Sequence, residues 1–371
     1  MKLLKKFTTA LIIITAAAAT HAQIKIGQTA GFTGAVADGV KETADGAKLY
    51  FNAINKRGGV NGQQIELISL DDKFDPKLAK ENARILIEEK NVLAMFLTRG
   101  TPHTEAVIEI LDKNSVPLIA PSTGAMVLHT PVKKHIFNVR STYQREAERV
   151  VIHLNSLGVK RIAMIQTDDS FGADGAAGVI RGLETSGLKA VLNEKIDRAK
   201  PDFTKVGPAV VASNAQAVIL VASGANVVLG TNALRAAGSS AQIVTLSNNA
   251  SSGFVKSMGA NARGVMVSQV FPSERAVAFA FIKEAQDLQK KEKNASELSP
   301  AMLEGFVAAK VMVEALRQAG PAPTRTKLQN ALETMKKFDV GGLLIGFNPE
   351  DHTGLDFVDM SVIGSDGRFK R

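Results

Sequence analysis

The sequence predicts an α/β protein made of two similar doubly wound parallel-sheet lobes joined by a three-strand hinge. The chain of 371 residues is longer than one compact core usually holds. Short, nearly continuous apolar runs alternate with helical patterns, as expected for a parallel sheet covered by helices on both faces. This alternation occurs twice along the chain, which indicates two lobes.

The first series of elements begins just after residue 23. Helices are predicted near 39–56, 76–90 and 102–114, and the second follows Asp75-Pro76, a pair suited to an N-cap and a first helical turn. The strands are apolar runs rich in β-branched residues. They are predicted at 24–30, 63–72, 92–98 and 116–121.

The second series restarts the same rhythm, with helices between its strands. Its strands are predicted at 161–168, 190–196, 215–223, 242–247 and 264–271. The last third of the chain departs from this alternation. It has successive helices at about 273–292, 300–318 and 325–337, followed by strand-like pieces at 341–347 and 357–364. We expect this last third of the chain to pack against the two lobes formed by the preceding residues.

The N-terminus has the pattern of a secretory signal peptide. Lys2, Lys5 and Lys6 precede an apolar run at 7–19, which is shorter than the roughly 20 residues of a bilayer span. We predict a signal peptide at 1–22, cleaved before Gln23, and hence a periplasmic protein. An N-terminal membrane anchor is the alternative, but no stop-transfer charges follow the run.

Composition narrows the function classes. The net charge is +9, it is spread along the chain, and no aromatic residues interleave with the densest basic run at 290–293, so nucleic acid is not expected as a partner. The chain has no cysteine, which excludes disulfides and thiol chemistry. No nucleophile elbow or metal-ligand spacing is present. We therefore expect neither an enzyme nor a bound metal or cofactor, and we interpret Asp71-Asp72 and Asp168-Asp169 as helix caps.

Two adjacent predicted strands end in hydroxyl-bearing residues and glycine. Gly100-Thr101 follows one strand, and Ser122-Thr123-Gly124 follows the next. Ligands of doubly wound sheets bind beyond the carboxyl ends of the strands, and free N–H groups at a helix start attract anions. These residues predict a carboxylate site, or alternatively only helix caps. Arg99 is either an attractor of acidic ligands or a solvated rim charge, and His103 is expected in the first helical turn or on the rim of the cleft.

Several segments resemble a known family. They are IKIGQTAGFTG (24–34), INKRGGVNGQQIELISLDDKFDPKLA (54–79), GTPHTEAV (100–107) and VPLIAPSTG (116–124). Over nearly its full length, the mature chain resembles the type I periplasmic solute-binding proteins of the leucine/isoleucine/valine-binding branch, which are receptors of ABC importers.

The resemblance implies a division of the chain into lobes. The N-terminal lobe would comprise 23–140 plus 271–349, and the C-terminal lobe 141–270 plus 350–371. The ligand would lie between them and would be enclosed by a hinge motion. A monomer that delivers its solute to a membrane permease is also implied.

The resemblance also implies individual roles. Thr101 matches the hydroxyl at the ligand carboxylate, and Phe171 stands where a tyrosine is common. Ser247 and Asn248 replace the acidic residue that pairs an α-ammonium, a departure that leaves other organic acids, including aromatic ones, open. The expected ligand contacts are Gly100, Thr101, Ser122, Thr123, Gly124, Tyr143, Phe171, Ser223, Asn248 and Phe306.

The leading hypothesis is therefore a periplasmic binding protein for a small carboxylate-bearing solute, with hydrophobic amino acids as the default. One alternative is a sensory receptor on the same fold. Another is an exported α/β hydrolase-type enzyme that uses His103 and the Asp pairs, for which no nucleophile or metal motif is present.

Overall fold

The chain forms two α/β lobes in the computed structural model, which describes residues 23–292 and 297–371. The predicted signal peptide at 1–22 lies outside the described residues. Within the described ranges, none of the helices combines the length and the apolar character of a membrane span.

The first lobe is built on a five-stranded parallel sheet in the order β2-β1-β3-β4-β5. Its core faces are covered by helices α1 (Ala37–Lys56), α2 (Pro76–Arg84) and α3 (Thr101–Asn114). The strands are β1 (Ile24–Ala30), β2 (Ile65–Asp71), β3 (Ala94–Phe96), β4 (Leu118–Ile119) and β5 (Ile136–Phe137). The first four were predicted, whereas β5 was not.

The second lobe repeats this arrangement. Its parallel strands follow the order β7-β6-β8-β9-β10, and two antiparallel strands extend the sheet beyond β10. The helices are α4 (Tyr143–Ser156), α5 (Ser170–Thr185), α6 (Val206–Ala212), α7 (Ala225–Ala236) and α8 (Ser252–Met258). The strands are β6 (Ile162–Thr167), β7 (Leu192–Ile196), β8 (Ala217–Val221), β9 (Gln242–Thr245) and β10 (Met266–Gln269).

The last third of the chain serves both lobes. Three helices, α9 (Ala280–Gln289), α10 (Pro300–Ala319) and α11 (Arg325–Glu333), contribute to the core of the first lobe. A short hairpin joins β11 (Phe338–Asp339) to β12 (Leu344–Ile345), and β13 (Asp359–Ile363) and β14 (Phe369–Lys370) complete the second sheet. The returning chain was predicted, but α9 begins seven residues later than expected.

Three crossings connect the lobes, after β5, after β10 and between β12 and β13. The first and third run side by side, since Gly354 N donates to Asn138 O at 2.7 Å and Leu355 N donates to Val139 O at 3.1 Å. The observed two-lobe α/β fold confirms the predicted fold class. The lobe boundaries at 140, 270 and 349 stay predictions.

Helices α1 and α10 cross at backbone contact in the first lobe. Gly46 of α1 lies against Met302 O, and Gly305 of α10 lies against Thr43 O, so closely that a Cβ atom at either glycine would overlap the facing carbonyl. Beside this crossing, the ring of Phe306 packs edge-to-face on Tyr50 with centroids 5.1 Å apart. The crossing therefore depends on the absence of side chains at these two positions.

We expect Gly305→Ala to lower the free energy of unfolding by about 1–3 kcal/mol, because the added methyl group overpacks the crossing. In an exposed helix the same substitution would raise the free energy of unfolding by about 1 kcal/mol, because alanine favours the helix. The sign of the measured change therefore distinguishes overpacking from helix propensity. Chemical denaturation checks it, and a variant more stable than the wild type would contradict the close crossing.

Candidate ligand site between the lobes

The carboxyl ends of both sheets meet at a cavity of about 310 Å³ between the lobes. The first lobe contributes the loop after β1 and Arg99 after β3, and the second contributes the loops after β8 and β9 and the starts of α7 and α8. In doubly wound sheets, ligand sites occur at this edge, where the strand order reverses. The lining side chains include Val36, Asp38, Arg99, Val228, Leu229, Asn248, Asn249, Ser251, Phe254 and Ser257.

Arg99 is buried at the inner end of this cavity and is only 5% exposed. Its Nη1 donates to Ser122 Oγ at 2.9 Å in its own lobe, and its Nη2 donates to Asn248 O at 2.5 Å in the other lobe. Burial lowers the pKa of the guanidinium, which nevertheless stays protonated, as arginine does throughout proteins. The solvated-rim alternative for Arg99 is therefore wrong.

No carboxylate among the described residues forms an ion pair with Arg99, whose hydrogen bonds go to a hydroxyl and a carbonyl. The neighbouring groups Tyr143 and Glu304 act to raise the pKa of Arg99, but the Glu304 carboxylate is 3.6 Å from Arg140 Nη1 instead. A buried charge is costly without a charged partner. The inner end of the cavity thus has an unmatched positive charge.

The hydroxyl-bearing segments predicted as a carboxylate site lie next to Arg99. Thr101 Oγ1 and Thr123 Oγ1 share a hydrogen bond of 2.8 Å, and Ser122 binds Arg99 directly. Gly100 precedes α3 with a φ of 94°, a conformation that favours glycine. Gly124 accepts a hydrogen bond from Tyr143 N at 2.8 Å. The segments at 100–101 and 122–124 thus form hydrogen bonds with Arg99 and with each other. Their contact with a ligand stays a prediction.

In the second lobe, Asn248 lines the cavity and donates from Nδ2 to Ser223 Oγ at 2.9 Å. Of the ten predicted contacts, Asn248 alone lines the described cavity, while Ser122 and Ser223 each bond to a lining residue. Phe171 is buried against Tyr143, with ring centroids 4.9 Å apart. Phe306 packs in the core of the first lobe.

Sequence reasoning missed a buried ionic cluster at the first crossing. Arg140 Nη2 donates to Glu146 Oε1 at 2.6 Å and also to Ser247 Oγ, and its guanidinium lies over the Tyr143 ring. Burial would lower the pKa of Arg140, but nearby negative groups, including Glu304 and Glu146, raise it. The only signal in the sequence was an arginine directly after a short apolar run, which is weak evidence for burial.

The candidate catalytic groups have structural roles. Burial lowers the pKa of His103 to about 4, and its ring stacks on Phe74 with centroids 4.3 Å apart. Asp169 caps α5 through Gly172 N at 3.0 Å, as predicted, and pairs with Arg198. Within residues 23–292 and 297–371, no group of three or more histidine or acidic side chains is placed to hold a metal ion.

Hydrogen bonds also join the lobes around the cavity. Glu42 on α1 accepts from Ser252 N at 3.0 Å and Gly253 N at 2.7 Å at the start of α8. Ala225 N donates to Ala35 O at 3.0 Å. A carboxylate at a helix start is favoured by the free N–H groups and the helix dipole. Glu42 therefore stabilises the contact between the two lobes.

Comparisons with known proteins agree with this geometry. A sequence model of the periplasmic binding protein family matches residues 23–366. An extracellular ligand-binding receptor from Verminephrobacter eiseniae is 30% identical, with a TM-score of 0.84 over 94% of this chain and 100% of that chain. A substrate-binding periplasmic protein from Ralstonia solanacearum is 28% identical, with a TM-score of 0.86 over 94% and 99% of the two chains.

A curated relative, a Leu/Ile/Val-binding protein from Rhizobium johnstonii, is 28% identical over 207 residues, or 54% of this chain and 55% of the relative. The chain thus spans about half the length of the curated relatives that it matches. The resemblance inferred from the sequence is confirmed.

We expect Glu42→Ala to weaken binding of the protein's solute about tenfold, because charge-assisted hydrogen bonds of about 1.5–3 kcal/mol that hold the lobes together are lost. Asp45→Ala is the control, since Asp45 is an exposed carboxylate on the same helix. Isothermal titration would measure both, and equal affinities for the two variants would contradict the role of Glu42.

We also predict a pH-dependent contribution from His103. Because its pKa is 6.5 unfolded and about 4 folded, the unfolded state binds the extra proton, and stability on the order of 3 kcal/mol is lost as pH falls from 6.5 to 4. His103→Asn should flatten this part of the unfolding free-energy profile. Burial raises the pKa of Asp72 to about 6, so this group adds stability as the pH falls. That effect is the same in the wild type and in His103→Asn, and it cancels in the comparison of the two. An unchanged slope would contradict the prediction.

Proposed function

The chain belongs to the periplasmic binding protein family, and from that premise we propose that it captures a small carboxylate-bearing solute between its two lobes. The family consists of solute-binding proteins rather than enzymes and implies a periplasmic location. The chain is accordingly a binding protein with no catalytic role. Its two lobes enclose the cavity at the sheet edges where ligands of this architecture bind.

The observation that carries the proposal is the unmatched charge of Arg99. Its guanidinium is buried at the inner end of the cavity and bonds only to neutral acceptors among the described residues. A guanidinium offers paired donors whose spacing fits the two oxygens of a carboxylate. A bound carboxylate would supply the missing negative charge and would contact groups from both lobes at once.

Sequence similarity favours hydrophobic amino acids as the solute, because one relative is named for leucine, isoleucine and valine. Other organic acids, including aromatic ones, satisfy the same charge requirement. The solute would pass to the permease subunits of an ABC importer, and the protein would act as a monomer exported through the signal peptide at 1–22.

Arg99→Met should reduce the affinity for a bound carboxylate about 10- to 100-fold, because charge-assisted hydrogen bonds contribute about 1.5–3 kcal/mol. Isothermal titration with amino acids, benzoates and short-chain acids identifies the carboxylate, and the matching amides test its charge. The wild type should bind the acid and not its amide.

Lys113→Met is the matched control, since Lys113 is an exposed cation on α3 that pairs with Glu88 of its own lobe and does not line the cavity. This variant should keep nearly wild-type affinity. The proposal fails if no carboxylate binds, if amides bind as tightly as acids, or if Arg99→Met binds like the wild type.

A further inference from the structure

We propose that the cavity selects monocarboxylates with an apolar body and discriminates against the corresponding α-amino acids. This inference rests on the proposed carboxylate site, and it favours simple acids over the amino acids that sequence similarity suggests. The carboxylate would bind Arg99, and the remainder of the solute would lie among the apolar side chains toward the mouth of the cavity.

An α-ammonium on the solute would lie close to the Arg99 guanidinium. The ammonium of an amino acid is attached to the carbon next to the carboxylate, so it would lie within a few ångströms of the Arg99 guanidinium. Two positive groups at that separation repel each other strongly in a buried site. A simple carboxylate brings a full negative charge to Arg99, whereas an amino acid is a zwitterion with no net charge. The unmatched guanidinium therefore favours the simple acid.

Four oxygens of Asn248, Asn249 and Ser251 are candidate hydrogen-bond acceptors for an ammonium. Asn249 Oδ1 already accepts from Gly224 N at 2.7 Å, and Ser251 Oγ accepts from Phe254 N at 3.1 Å. Asn248 O accepts from Arg99, and Asn248 Oδ1 has only a 3.5 Å contact with Asn249 Nδ2. Of these four oxygens Asn248 Oδ1 is the least engaged, and none of the four carries a negative charge that would pair with an ammonium.

The carboxylates around the cavity either have partners within the protein or are exposed to solvent. Glu146 is bound by Arg140, and Glu304 lies 3.6 Å from the same arginine. Glu42 accepts two backbone hydrogen bonds from α8. Asp38 lines the cavity but is exposed, and it accepts a 3.3 Å hydrogen bond from Ser257 across the lobes. Its charge is therefore screened by solvent, and the other three carboxylates have partners within the protein.

The remaining space of the cavity has a mainly apolar lining. Val36, Val228, Leu229 and Phe254 line the cavity together with small alanine residues. Gly39 also lines it and leaves room beside Arg99, because a Cβ there would lie 3.8 Å from Arg99 Nη2. An apolar cavity of about 150 Å³ holds a benzene molecule. The 310 Å³ observed here accommodates a ring or a branched chain in addition to a carboxylate.

The test compares acids that differ only in the α-amino group. Isothermal titration of protein freed of co-purified solute would use 4-methylpentanoate against leucine, 3-methylbutanoate against valine, 3-phenylpropanoate against phenylalanine and phenylacetate against phenylglycine. The amides of the four acids would be included. We expect at least one acid to bind ten or more times tighter than its amino acid, and no amino acid to bind tighter than its acid.

The outcomes separate this inference from the proposed function. An amino acid that binds as tightly as its acid overturns the inference and leaves the carboxylate site intact. Amides that bind as well as acids, or no binding by any of the twelve compounds, overturn both.

Asp38→Asn is the control for a cation at the cavity mouth. It neutralises a carboxylate that lines the cavity, and it therefore tests whether a distant ammonium group of the solute binds at that point. If 6-aminohexanoate binds the wild type tighter than hexanoate does, and Asp38→Asn abolishes the difference, the cavity takes a cation at its mouth and the assignment of an apolar body is wrong.

Discussion

The buried guanidinium of Arg99 is the constraint on which the relation between the two lobes depends. It belongs to the first lobe by sequence but donates to Asn248 O in the second, so it is a direct electrostatic link across the cleft. Separating the lobes would expose this group to water, and bringing them together removes its hydration. That loss is costly for a charge, and an anion in the cavity offsets it. Closure of the lobes and capture of an anion are therefore coupled through one side chain.

The fold provides the geometry for this coupling by repeating one strand order. Both sheets follow the order 2-1-3-4-5 within their parallel strands, so each has a point where the chain direction reverses and loops diverge. The carboxyl ends of the strands in one sheet face those in the other. The loops that follow these strands therefore meet at the cavity between the lobes. The backbone N–H groups at the start of α8 meet Glu42 of the opposite lobe. The same helix-terminus physics that attracts ligand anions here attracts a side chain of the protein.

The sequence predicted most of the sheet strands because buried parallel strands are continuous apolar runs. It missed β5, β11 and β14, which have two residues each and, unlike the equally short β4 and β12, do not lie in a longer apolar run. It placed the start of α9 too early, because 273–279 has helical composition but forms turns, while Phe281 N donates to Gly341 O of the hairpin region at 3.3 Å. That choice is made by residues 60 positions away in the chain. For the same reason the burial of Arg99 was undecided: sequence shows that an arginine ends a strand, but not that a second lobe covers it.

Two buried arginines, Arg99 and Arg140, show why charge matching identifies the ligand site better than burial does. Arg140 is 1% exposed and even more deeply buried, but Glu146 pairs with it and Glu304 lies 3.6 Å away. Its charge is balanced within the protein, so it stabilises the crossing and offers little to a ligand. Arg99 lies a few side chains away at the cavity, and its own hydrogen bonds among the described residues go to neutral acceptors. Since both arginines end short apolar runs, only the three-dimensional position of the acidic residues distinguishes the structural arginine from the one that an anion would satisfy.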